Sequence, residues 1–275
     1  MICPNCNSKI DNGNATCPMC GADLRGQSAV RSGNRAYAAQ AAAGSGLMLG
    51  AAARASRKVR EVSENELISD RAYNAALLGV LLWGLLVNVV ICYTVHDIYL
   101  YVNPIVFVIG YSVCAIAGIA IAHRSSNPFI SFLGYNLIVV PFGLMLSTVV
   151  ESYGGVQSDI VGDAFLYTLL IAVGISGIAL VFPQLFEKLG GALAGVLFGL
   201  IICEVVLLIL GKDQAITGWL AAGLFSIYIG YDVYRSQQFP KTLDNAVDSA
   251  LDIYLDVANL FIRVLSMLAR SRRND

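Results

Sequence analysis

From residue 74 onward the sequence alternates long apolar runs with short polar breaks: 74–95, 104–122, 129–150, 164–183, 190–211 and 214–234. Each run is close to the ~20 residues that an α-helix needs to cross the hydrocarbon core of a bilayer. No charge interrupts the first four, and only Glu204 falls within the fifth. A seventh segment, 246–269, has helical length but a more polar texture. Asp244, Asp248, Asp252 and Asp256 recur every fourth residue along it, so they share one helical face that drifts slowly around the axis. Ser63 and Glu66 have the spacing of a capping box and predict the start of the first long helix there. Pro141 predicts a kink or a loosened ladder in the third helix, which neighbouring helices tolerate. Gly191, Gly195 and Gly199 stand at small-xxx-small spacing and predict that the fifth helix packs closely against another.

Composition agrees with this pattern. The chain is 57% hydrophobic and only 13% charged, well away from soluble proteins and typical of an all-α membrane protein. A net charge of −1 supplies no basic field, so no nucleic acid is expected as a partner. Catalysis is not expected either. The chain shows no nucleophile–base constellation, phosphate loop or HExxH, and its two histidines are His96 and His123, the latter read as interfacial. The polar, cysteine-bearing first residues do not read as a cleavable signal peptide.

Four of the seven cysteines lie in those first residues. Cys3, Cys6, Cys17 and Cys20 form two Cys-Pro-x-Cys knuckles, four thiolates for one tetrahedral Zn²⁺. Residues 1–24 resemble the short zinc ribbons that many bacterial membrane proteins carry at one end. A closed four-sulfur site makes the metal structural, and metal binding supplies the fold of so small a module. Cys92, Cys114 and Cys203 read as small packing residues within apolar runs. Residues 25–62 form a linker whose Arg54, Arg57, Lys58 and Arg60 flank the first helix.

Reduced thiols and the excess of Lys and Arg before the first helix both place the N-terminus in the cytosol. One conflict follows. Seven spans put the tail residues Arg270, Arg272 and Arg273 on the opposite side, where the charge rule does not want them. Either the seventh segment is re-entrant or the rule is overruled at the last helix.

A carboxylate at membrane depth costs several kcal/mol unless it is paired, hydrated or protonated. Asp232 lies about one turn before Arg235, at the inner end of the sixth run. Asp256 is roughly eight residues, or about 12 Å, into the seventh segment. The two meet in the inner half and share a proton, because two carboxylates in one dry site do not both ionise easily. Protonated, such a pair holds together; doubly ionised, it repels and opens a path attractive to cations. Asp248 and Asp252 continue an acidic strip toward the cytosol; the alternative is an amphipathic interfacial helix with a hydrated face, which applies more to Asp244 and Asp248 than to Asp256, with apolar text on both sides. Glu204 and Arg263 lie at equal depth from the outer side and are expected to pair. Arg124, ending the second run, either pairs with the acidic site or anchors the helix at the interface.

These residues carry a family resemblance. Tyr231-Asp232 closing a Gly/Tyr-containing helix, then Ala250-Leu251-Asp252-Ile253-Tyr254-Leu255-Asp256-Val257-Ala258-Asn259-Leu260-Phe261, resembles the signature of the Bax inhibitor (transmembrane Bax inhibitor motif) family. Gly134-Tyr135-Asn136 through Gly143 and the seven-segment layout over 66–270 fit it as well. The resemblance implies six helices around a central seventh and a proton-sensitive Ca²⁺ leak governed by an aspartate pair. Asp232 and Asp256 occupy the positions of that pair, and Arg124 those of an arginine latch, after a shift in spacing. Bacterial relatives also include modulators of a membrane protease, so a regulator acting through the ribbon is the alternative. The expected organisation is a zinc ribbon (1–24), a linker (25–62), a seven-helix domain in a bacterial plasma membrane (63–270) and a basic tail (271–275).

Overall fold

A computed structural model describes residues 66–95, 104–210 and 215–274, all within one compact unit, Glu61–Asp275. Among these residues there are seven α-helices and one 3-10 turn, with no strand. They are α1 (Asp70–Thr94), α2 (Pro104–Arg124), α3 (Pro128–Ser152), α4 (Asp159–Val181), α5 (Gly190–Ile209), α6 (Ala215–Gln238) and α7 (Leu243–Asn274). The 3-10 turn, Pro183–Leu185, joins α4 to α5.

Local chemistry sets the helix ends. The first helix starts at Ser69 rather than Ser63: the Ser69 hydroxyl accepts from Ala72 N at 3.2 Å, and Asp70 in the first turn suits the positive end of the helix dipole. Asn127 caps α3 in the same manner, accepting from Phe129 N at 2.9 Å, with Pro128 at the first helical position. Pro141 sits inside α3 without ending it. Gly154 and Gly155, both at positive φ, turn the chain between α3 and α4.

Among the described residues, four helices are long and apolar enough to cross a membrane: Asp70–Thr94, Pro128–Glu151, Asp159–Val181 and Ile216–Gln238. Large apolar side chains cover their outer faces, among them Leu78, Leu82 and Leu86 on α1 and Leu166, Leu170 and Val173 on α4. An exposed apolar surface of this kind belongs against lipid, so the protein is an integral membrane protein.

α7 is the central helix. α1, α3, α4 and α6 all pack against it, while α2 pairs with α3 and α5 with α6. Tyr135, Ile138, Val139 and Phe142 of α3 meet Leu251, Tyr254, Leu260 and Leu265 of α7 in the core. The α2–α3 pair approaches closely at Gly118 and Gly134. A Cβ on Gly134 would lie 2.7 Å from both the Ala122 amide nitrogen and the Gly118 carbonyl oxygen. By contrast, Gly191, Gly195 and Gly199 do not mediate packing as expected: a Cβ on any of them would meet nothing within 4 Å. α5 turns that stripe outward and meets α6 through Leu193, Leu197 and Leu200.

α7 crosses the whole bundle. At its start, Lys241 O accepts from Ile68 N at 2.8 Å, beside the beginning of α1. At its far end, Arg272 pairs with Asp163 in the first turns of α4, at 2.9 Å. Its 32 residues span about 48 Å at 1.5 Å per residue. The last segment is therefore not re-entrant, and the basic tail lies at the end of the bundle opposite the start of α1. Asp163 answers that charge locally, although an exposed pair contributes only ~0–1 kcal/mol.

Candidate functional site

Because four helices surround α7, even its first turns are enclosed. Asp248 and Asp252 are 0% and 2% exposed, Asp232 4%, and Asp244 and Asp256 each 9%. The alternative of an interfacial helix with a hydrated acidic face is overturned: the acidic face looks into the bundle along its entire length. Depth counting on a single helix separates Asp256 from Asp244 and Asp248, whereas enclosure treats them alike.

Burying carboxylates demands polar company. Ser131, in the first turn of α3, donates to Asp244 Oδ1 at 2.6 Å, and the same hydroxyl lies 3.1 Å from the Ala122 carbonyl. One hydroxyl proton thus faces two acceptors and ties the ends of α2, α3 and α7 together. Each of the five aspartates makes polar interactions. One oxygen apiece of Asp232, Asp248, Asp252 and Asp256 nevertheless lies buried without a hydrogen bond. The face is thus rich in acceptors and short of donors, the electrostatic character of a surface that attracts cations or protons.

The Lys241 end of this face is closed by residues that sequence reasoning missed. Tyr73 of α1 is fully buried; its hydroxyl donates to the Ser236 carbonyl at 3.0 Å and lies 3.0 Å from the Ser249 hydroxyl. The Lys241 ammonium sits 4.4 Å from the centre of the Tyr73 ring and donates to Ser236 O, Gln237 O and Gln237 Oε1 at 3.0–3.2 Å. Burial pushes its pKa down, against the opposing pull of Asp70.

The opposite face of α7 is pinned by aromatics. Asn88 Nδ2 donates to the Tyr254 hydroxyl at 2.6 Å, and Tyr135 donates to the Val80 carbonyl at 2.9 Å. The Tyr254 ring meets Tyr135 and Phe142 edge-on, at centroid distances of 5.6 and 6.0 Å.

Asp232 and Asp256 are both buried, on helices that pack directly on one another, and Asp248 and Asp252 share the enclosed face. Arg124 is not brought to them. It is exposed at the end of α2 and has no ion-pair partner among the described residues. The Glu204 side chain lies outside the described residues, so its pairing with half-buried Arg263 is not placed; the His123 side chain and all of His96 also fall outside. Cys92 is buried, Cys114 half-buried, and Cys203 faces outward rather than packing. Among the described residues no three His, Cys, Asp or Glu groups converge as a metal cage.

Residues 67–274 match the family model described as "Inhibitor of apoptosis-promoting Bax1", and residues 2–24 match a zinc-ribbon domain. Cys3, Cys6, Cys17 and Cys20 fall within the second match, outside the described residues; as a donor set, four thiolates in paired knuckles fit one Zn²⁺. The chain is 31% identical to "Bax inhibitor 1" of Saccharomyces cerevisiae over 142 residues, 46% of this chain and 45% of that protein. It is 28% identical to "Bax inhibitor 1" of Schizosaccharomyces pombe over 137 residues, 48% and 50% of the two chains. An uncharacterized protein of Helicobacter pylori is 33% identical over 84 residues, 30% of this chain and 35% of that one. The chain spans half or less of the length of these curated relatives.

Proposed function

The chain belongs to the family described as "Inhibitor of apoptosis-promoting Bax1", and from that premise we propose that it is a pH-sensitive cation leak pathway, with Ca²⁺ as the permeant ion and Asp232 and Asp256 as proton sensor and gate. The observation that carries the reading is the line of buried carboxylates on α7, with Asp232 also buried on α6, the helix packed directly against it, inside a lipid-facing bundle. Four residues of helix rise 6 Å, and two unit charges at that distance repel by about 3 kcal/mol at an effective dielectric constant near 20. Protonation removes that repulsion along α7, and a proton shared between Asp232 and Asp256 would hold α6 on α7. Ionisation restores it and makes the face a run of oxygen ligands suited to a hard divalent cation. Several weak oxygen positions in series suit conduction better than one tight cage. Arg124 acts as a latch only after moving inward from its exposed place at the end of α2. The reading includes no catalytic step.

The basic flank before α1 and the reduced thiols argue for a cytosolic N-terminus in a bacterial plasma membrane. There the four cysteines would hold Zn²⁺, which stabilises the ribbon when bound and leaves it free to dock a protein partner. That match over residues 2–24 favours a second reading, a non-channel regulator of a membrane protease or stress-response complex.

Ca²⁺ flux into proteoliposomes across a pH series tests the first reading. Asp232→Asn and Asp256→Asn should each flatten the pH response. Flux that keeps its pH dependence in both variants would remove the mechanism.

A further inference from the structure

We draw no further inference here: the strongest candidate, the outward-facing stripe of Gly191, Gly195 and Gly199 on α5 that continues into exposed Cys203, is an unpartnered helix face for which nothing in the structure shows what covers it.

Discussion

Replacing Tyr254 by Phe deletes one oxygen from the middle of the bundle and leaves the ring contacts with Tyr135 and Phe142 in place. The hydroxyl is the acceptor for Asn88 Nδ2 at 2.6 Å, and Asn88 is 5% exposed. Its Oδ1 already lies buried without a hydrogen bond. After Tyr254→Phe the whole amide would therefore be buried without this partner. Leaving a buried donor unsatisfied costs ~1–3 kcal/mol, whereas hydrogen bonds between membrane helices average ~0.6 and reach ~1.7 kcal/mol. The central, dry position argues for the upper part of the membrane range, about 1–2 kcal/mol. At roughly 2–4 °C per kcal/mol for a unit of this size, thermal unfolding in detergent should fall by several degrees. Asn88→Leu, of similar shape and without polar atoms, should recover most of that loss in the double variant, since both orphaned groups are then gone. The coupling from the double-mutant cycle should be about 1 kcal/mol. A single variant as stable as the parent, or strictly additive effects, would show that the Asn88–Tyr254 bond does not register α1 on α7.

Gly134→Ala should destabilise by about 1–3 kcal/mol, because its Cβ meets backbone atoms of α2 that cannot give way. Gly195→Ala should leave thermal stability within ~0.5 kcal/mol, since its Cβ enters open space; a reversed order would contradict the α2–α3 packing. Burial holds the Lys241 ammonium below its ordinary 10.5, so the unfolded chain binds that proton more tightly than the folded one. Stability should therefore rise as pH climbs through the window between the depressed value and 10.5. Lys241→Met should lose that slope, and a slope that survives the substitution would assign it elsewhere. Arg272→Ala should cost less than ~1 kcal/mol at low salt and nothing measurable at 1 M salt, because both partners are about half exposed.

The seven helices were legible because apolar runs of bilayer length leave little freedom: the runs 129–150 and 190–211 become Pro128–Ser152 and Gly190–Ile209. The start of α1 was not, because Ser63 and Ser69 both precede acidic residues; Ser69 caps the helix, whereas Ser63 lies outside the described residues. The acidic residues were found by their period of four, but their common burial was not. Depth along one helix says nothing about how many others surround it. The glycine stripe misled for a related reason. Spacing within α5 is visible in the chain, whereas the real close approach pairs Gly118 with Gly134 across two helices. Tyr73 carried only a faint signal. An aromatic in the first turn of a membrane helix reads as an interfacial anchor until its hydroxyl is seen bridging two other helices.

The central claim is that the buried aspartates, and not the ribbon, govern an ion path. Ca²⁺ entry into proteoliposomes, followed across pH for the full chain, for a chain lacking residues 1–25 and for the Asp232→Asn/Asp256→Asn double variant, tests it most directly. The account predicts the same pH-dependent flux with and without the ribbon, and a response in the double variant that no longer changes with pH. Flux absent from the full chain, or a pH response that survives in the double variant, would contradict it.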